Sequence, residues 1–218
     1  MKLVIISDTH SFHRKINVPD GDTLIHCGDI TNKGELSLIK DFSSWLKELP
    51  HKNKIVIFGN HEIGMRFGDK RLDAIEMITE AAFYLENSSI VIDGIKFYGS
   101  PATPHFYDWE WNYNRGKDIA AEWKKIPDNV NVLITHGPSY GILDLVEDSG
   151  ANKGRDLHQG CKDLAERISF LKELKLHCFG HLHTDGGKSA NVNGIHYVNA
   201  ACCTESYQPT NPPVIIDL

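Results

Sequence analysis

The N-terminal apolar run of this 218-residue chain ends after Ile6, at Ser7-Asp8. It is too short for the hydrophobic segment of a secretory leader or for a membrane span, so no membrane association is expected. Basic clusters are also missing: there are only isolated pairs such as Lys124-Lys125, on a chain of formal net charge −6. Tight binding to a nucleic-acid backbone needs several phosphate-facing cations, and no stable nucleic-acid partner is expected. Small anionic ligands stay open, because bound metal ions can supply positive charge locally. The five cysteines, Cys27, Cys161, Cys178, Cys202 and Cys203, are odd in number and form no CxxC. Free buried thiols in a reducing, cytoplasmic setting are expected rather than a disulfide frame. No proline- or serine-rich linker or repeat divides the chain, and a single domain over 1–218 is expected.

What is present in excess is histidine, twelve residues in all, and its placement is patterned. Leu3-Val4-Ile5-Ile6 runs into Ser7-Asp8-Thr9-His10, and Leu24-Ile25-His26-Cys27 into Gly28-Asp29. Ile55-Val56-Ile57-Phe58 runs into Gly59-Asn60-His61-Glu62. Val132-Leu133-Ile134-Thr135 runs into His136-Gly137, and Leu176-His177-Cys178-Phe179 into Gly180-His181-Leu182-His183. Short β-branched runs bounded by glycine or polar residues read as buried strands. In open α/β sheets, ligands bind beyond the carboxyl ends of the strands. Oxygen donors from Asp8, Asp29 and Asn60 would therefore meet nitrogen donors from His10, His136, His181 and His183 on one rim. Such a mixed set suits Mn²⁺, Fe or Zn²⁺ rather than Ca²⁺.

Between these runs, Leu36, Ile39, Phe42, Leu46 and Leu49 predict an amphipathic helix ended by Pro50. Leu72, Ile75, Ile78 and Ala82 predict a second helix, Ile119, Trp123 and Ile126 a third, and Leu164, Ile168, Leu171 and Leu174 a fourth. Asp93-Gly94 and Asn193-Gly194, each between apolar segments, predict two-residue hairpin turns, and Val214-Ile215-Ile216 a terminal strand. Residues 99–116 and 137–160 read as long loops, which in compact domains are often functional. Mixed parallel and antiparallel strands with helices between them predict an α/β fold of two packed mixed sheets flanked by helices.

Asp-x-His, Gly-Asp, Gly-Asn-His-Glu, His-Gly and Gly-His-x-His, in that order, resemble the calcineurin-like metallophosphoesterases. Ser7-Asp8-Thr9-His10-Ser11, Thr135-His136-Gly137-Pro138 and Gln208-Pro209-Thr210-Asn211-Pro212-Pro213 resemble the small metallophosphoesterase-domain-containing branch. The resemblance implies a four-layer αββα sandwich and two divalent metal ions, with Mn first and Fe, Zn and Ni as alternatives. Asp8, His10 and His183 would hold one ion, Asn60, His136 and His181 the other, and Asp29 both. His61 would face the substrate.

Two such ions about 3.5–4 Å apart can share a hydroxide that attacks phosphorus, with Asp29 fixing the pair. His61 would protonate the departing alkoxide. The expected reaction is hydrolysis of phosphodiesters of small nucleotides, cyclic ones among them, or of similar esters. A serine/threonine protein phosphatase or phosphomonoesterase is the rival enzyme, and a non-catalytic metal-binding scaffold the rival of another class. Asn60, His61 and Arg115 are the candidate substrate contacts. The loop carrying Tyr107, Trp109, Trp111 and Arg115 could wall a base and bind a phosphate oxygen, but a lid packed on the domain is preferred. Glu62 could orient His61 or have no catalytic role. His26 and His177 are expected to serve packing or to support the ligand residues from behind, while His13, His51, His158 and His196 are left to the surface or unassigned. Asp144, Glu147 and Asp148 read as a solvated acidic loop. Oligomeric state is not legible.

Overall fold

Alternating residues of the first strand face different layers, and this places the rest of the fold. In the computed structural model, which describes residues 1–148, 153–154 and 156–218, β1 (Lys2–Ile6) turns Leu3 and Ile5 toward one apolar cluster and Val4 and Ile6 toward another. A strand buried on both faces reads as an unbroken apolar run. The first cluster fills the space between two sheets, where Leu3, Ile5, Ile25 and Ile55 meet Phe97, Val132, Ile134, Leu176 and Val198.

One sheet holds β1, β2 (Thr23–His26), β3 (Asn53–Val56), β4 (Phe83–Tyr84) and β13 (Val214–Asp217), in the order β13-β1-β2-β3-β4. Its members are parallel except β13, which runs antiparallel along β1. The second sheet holds β5 (Ser88–Ile92), β6 (Ile95–Ser100), β9 (Val132–Thr135), β10 (Leu176–Phe179), β11 (Lys188–Val192) and β12 (Ile195–Asn199). Their order is β11-β12-β10-β9-β6-β5. The four inner strands are parallel, and β5 and β11 fold back as antiparallel edges. Both hairpins turn where expected: Asp93 and Gly94 have φ of 49° and 81°, Asn193 and Gly194 53° and 81°, the left-handed pair such turns require.

Helices α1 (Leu36–Glu48) and α2 (Asp69–Thr79) cover the first sheet, and α3 (Lys117–Trp123) and α4 (Lys162–Ser169) cover the second. The fold is thus the four-layer αββα sandwich. On α1, Ile39, Phe42 and Leu46 are fully buried, each contributing roughly 1.5–3 kcal/mol of transfer free energy. The helix stops at Leu49, held extended by Pro50.

Three helices differ from their sequence pattern; α3 ends at Trp123, and Ile126 is buried beyond it. Leu72 is 70% exposed, and α2 buries the expected Ile78 together with Ala74. Helix α4 ends at Ser169, because the N–H groups of Phe170 and Leu171 bond back three residues to Arg167 and Ile168, a tight 3₁₀-type close. Leu171 and Leu174 then enter the core from the turns that follow. Inside the 99–116 loop, the two-residue strands β7 (Thr103–Pro104) and β8 (Asn112–Tyr113) pair in parallel and clasp the loop.

Candidate metal centre

Five parallel strands end on the same rim, and their loops are sewn together by backbone hydrogen bonds. Asp8 N donates to Gly28 O at 2.9 Å and His10 N to Asp29 O at 3.1 Å. Across the sheets, Cys202 N donates to Ser7 O at 2.8 Å. The turns are sharp: Asp8, His10, Asp29 and His181 have φ of 50°, 43°, 56° and 69°. Asp and His enter this left-handed region more readily than most residues, but each still costs on the order of 1–3 kcal/mol and marks a site that the surroundings over-determine. Two glycines make room. A methyl group at Gly59 would strike the Asp29 carboxylate, and one at Gly180 the Asp8 carboxylate.

The structure brings together all seven donor positions and His61. Asp8, His10 and His183 form one group, Asp29, His136 and His181 another, and His10, Asp29 and His61 a third, with ligand atoms within 4.8 Å in each. His183 Nε2 lies 3.3 Å from Asp8 Oδ1 and 3.3 Å from His10 Nε2. His136 Nε2 lies 2.8 Å from Asn60 Oδ1 and 3.3 Å from Asp29 Oδ2. His61 Nε2 stands 3.9 Å from Asp29 Oδ2.

The electrostatics suit cations. Asp8 and Asp29 are buried, and among the described residues neither pairs with a lysine or arginine. Burial opposes their ionisation, yet His183 holds Asp8, and His136 holds Asp29, below the usual carboxylate range. Burial likewise opposes protonation of His136, but the Asp29 charge and hydrogen bond lift it to about 9. His183 is raised against its burial by Asp8. His181 falls to about 3, through burial and then the charge of His136.

Protons on His136 and His183 thus answer the carboxylate charge in the protein alone. The Nδ1–H groups of both rings donate to carbonyls, Cys27 O and Thr204 O, each at 2.9 Å. That leaves Nε2 as the lone-pair nitrogen once its proton is displaced, the arrangement in which imidazoles bind metals. The donor set fits divalent cations.

Residues 1–185 match the calcineurin-like phosphoesterase family. The chain belongs to that family. It is 37% identical to metallophosphoesterase domain-containing protein 1 of Homo sapiens over 237 residues, covering all of this chain and 71% of that protein. It is 35% identical to UPF0046 protein K07C11.7 of Caenorhabditis elegans, over 99% of this chain and 74% of the other. The crystal structure of TT1561 of Thermus thermophilus superposes with a TM-score of 0.60 at 13% identity, over 91% and 88% of the two chains. Calcineurin-like phosphoesterases hydrolyse phosphoric esters with the help of divalent metals.

In this phosphoesterase, the supporting contacts of Glu62 and Asn32 were hidden in the sequence, while His26 and His177 support the ligand loops as one of their two readings expected. Glu62 is fully buried and does not orient the His61 ring. It accepts from Asp29 N, Gly59 N, Thr31 N and Thr31 Oγ1 at 3.1, 2.7, 3.0 and 3.3 Å. Burial, and then the Asp29 charge, push it up to about 8. The His61 ring is oriented by the Asn32 carbonyl, 2.9 Å from Nδ1, and packs on Trp109 with ring centroids 4.0 Å apart. His26 Nδ1 accepts from Gly28 N at 3.2 Å, so its Nε2–H donates to Thr9 Oγ1 at 3.0 Å. One imidazole thereby ties the Asp8–His10 loop to Asp29. His177 lies 2.8 Å from Thr135 Oγ1, beside His136.

Three sequence readings are corrected. His13 and His51 are buried, His13 against Asp41 at 2.9 Å and His51 against Pro19 O at 3.1 Å. Asp144 is not solvated: it is fully buried, accepting from Gly141 N and Gly160 N and pairing with His158 Nδ1 at 2.6 Å. Of the other two acidic residues, Asp148 accepts from Gly154 N and Glu147 is exposed.

A cavity of about 420 Å³ opens on Asp29, Asn60, His61, His181 and His183. Its walls include Phe106, Tyr107, Trp109, Val146, Leu182 and Tyr207, with Arg115, Gln159 and Glu205 among the polar groups. The aromatic loop is divided between the two readings: Trp111 is buried beside Phe58, while Phe106 and Tyr107 stand 57% and 67% exposed. Arg115 lines the cavity but spends NH1 and NH2 on Gly160 O and Gln159 O, each at 2.8 Å.

Proposed function

We propose that this chain is a two-metal phosphodiesterase acting on small nucleotides, cyclic ones among them, or on similar esters. The observation that carries this reading is that Asp29 belongs both to the His136–His181 group and to the group containing His10 and His61. It joins two neighbouring sets of donors, and the His61 imidazole of the second set is the one most open to the cavity. Asp8, His10 and His183 would hold one ion, Asn60, His136 and His181 the other, with Asp29 common to both, and Mn is the first candidate. When bound, such ions supply Lewis acidity toward phosphoryl oxygens and lower the pKa of water.

The protein's own groups do the rest. His61 Nδ1–H is committed to Asn32 O, so neutral His61 presents a bare Nε2 toward the site. The proton donor is the imidazolium form, with Nε2 3.9 Å from Asp29 Oδ2, and its Nε2–H protonates the departing alkoxide. Asn60 and His61 contact the phosphoryl group. Arg115, held by the two carbonyls, offers its remaining guanidinium edge to a phosphate oxygen. The cavity volume lies in the range of small-molecule sites, about 300–1,000 Å³, and its exposed aromatic wall suits a flat base. This supports a small ester over a protein surface.

We read residues 1–218 as one domain, because β13 closes onto β1 beyond the last ligand. Among the described residues, no helix is long and apolar enough to cross a membrane. All five cysteines are free and buried, which supports a cytoplasmic location.

The test is hydrolysis of bis-p-nitrophenyl phosphate beside p-nitrophenyl phosphate by metal-stripped protein reloaded with Mn²⁺. Faster diester turnover, absent in Asp29→Asn, is expected. No turnover of either ester with Mn²⁺, Zn²⁺, Fe²⁺ or Ni²⁺ overturns the reading.

A further inference from the structure

Tyr207 has an unusual set of neighbours for a surface aromatic. It is 41% exposed, and among the described residues its aromatic-ring contacts are all with imidazoles. It stands edge-on to three imidazoles, with centroids 4.7 Å from His10, 5.4 Å from His183 and 6.4 Å from His61.

The loop that carries it is built to hold that position. Thr204 O accepts both Tyr207 N, at 2.8 Å, and His183 Nδ1, at 2.9 Å. Thr204 N donates to Gln208 O at 2.9 Å, and Asn211 Nδ2 donates to the carbonyls of Ala201 and Cys203. Tyr207 itself sits at φ 55°, a conformation costly for a bulky residue unless its surroundings enforce it. One loop therefore fixes the tautomer of His183 and sets a ring over His10.

The consequence is unequal access to the two donor groups. Of the first group only His183 reaches the cavity wall, Asp8 and His10 being fully buried, whereas Asn60 and His181 of the second group line it together with the shared Asp29, and His136 does not. Tyr207 lines it too, on the side where the first group lies.

We propose that Tyr207 is the gate of the Asp8–His10–His183 cation position. It leaves the Asn60–His136–His181 position in exchange with solvent and makes the first position slow to load and to empty. This rests on the two-metal reading above. The ring acts by occupying the exit path, so its shape carries the effect and its hydroxyl does not. A barrier raised by 1.4 kcal/mol slows exit tenfold, a modest demand on a ring that must swing away from three neighbours.

The experiment loads the protein with Zn²⁺, counts the bound equivalents, and mixes it with an excess of a chromogenic chelator in a stopped-flow instrument. Two phases of one equivalent each are expected, and His10→Gln should remove the slow one. Tyr207→Ala should speed the slow phase by at least about tenfold and leave the fast phase unchanged. Tyr207→Leu, which keeps an apolar loop surface without the flat ring, should do the same, and Tyr207→Phe should keep the wild-type trace.

Release of both equivalents in one phase overturns the gate and leaves the two-metal reading standing. So does a slow phase indifferent to Tyr207→Ala and Tyr207→Leu, or lost in Tyr207→Phe. Binding of fewer than two equivalents by the unaltered protein overturns the two-metal reading itself, and the gate with it.

Discussion

Glu62 Oε2 accepts the backbone N–H of Asp29 at 3.1 Å from a position with no exposure to solvent. The same carboxylate holds Gly59 N and Thr31, so one buried side chain sets the backbone beneath two successive ligand loops. In Glu62→Gln, an amide –NH₂ would face backbone N–H groups, leaving at least one of them without an acceptor. An unpaired buried donor costs about 1–3 kcal/mol, and loss of such a support typically lowers metal affinity about 10–100-fold. A chemical melt and a cation titration should show both losses together. Unchanged affinity with lower stability would reduce Glu62 to a packing role.

His61→Ala removes the proton donor and keeps all seven proposed ligands. Diesters with alkyl leaving groups should lose roughly 10²–10⁴-fold in kcat. Those with p-nitrophenol should lose much less, because that leaving group departs without protonation. Bound cation should stay at the wild-type equivalents. An equal loss on both esters would remove the general-acid role from His61.

The strand ends were legible because their chemistry is local. A β-branched run followed by Gly-Asp or Gly-Asn-His states both the strand and the rim residue, and Asp93-Gly94 states its own turn. What stayed hidden depends on partners far along the chain. Asp144 looks solvated within an acidic stretch, yet Gly160 N and His158 meet it across the loop. Leu72 fits a helical period, but α2 is rolled so that Ala74 faces the sheet. Glu62 follows the motif histidine and reads as its helper, although its four hydrogen bonds go to the backbone and to Thr31. Tyr207 stands beside the Gln208-Pro209 tail, and nothing local ties it to His10.

Cation removal should show in stability as well as in rate. A ligand bound only by the folded state adds about 2.7 kcal/mol at one hundred times its Kd. Metal-stripped protein should therefore melt lower than protein reloaded with Mn²⁺. Asp29→Asn should abolish most of that difference, since Asp29 faces both groups. A melting temperature indifferent to Mn²⁺ in the wild type would mean that the donors bind no such ion.

Stability should also fall in mild acid, and His177 supplies part of the reason. Burial lowers its folded-state pKa to about 3 from an ordinary 6.5. Thr135 Oγ1 donates to Gly137 O, so His177 Nε2–H donates to Thr135 and the ring is neutral, its Nδ1 without a partner among the described residues. Between these two pKa values the unfolded chain binds a proton that the folded chain refuses. The contribution is therefore intact above about pH 6.5 and lost as pH falls toward 3, at about 1.4 kcal/mol per pH unit. His26, lowered to about 3 by burial in the same way, adds a parallel loss. Urea melts of His177→Gln across this range should show a pH slope shallower by about one proton. The variant should be less stable than wild type at pH 7.5, where Thr135 loses a well-placed donor, and the gap should narrow on acidification. A slope identical to wild type would mean that His177 takes up its proton in the folded state and that the Thr135 contact does not require the neutral ring.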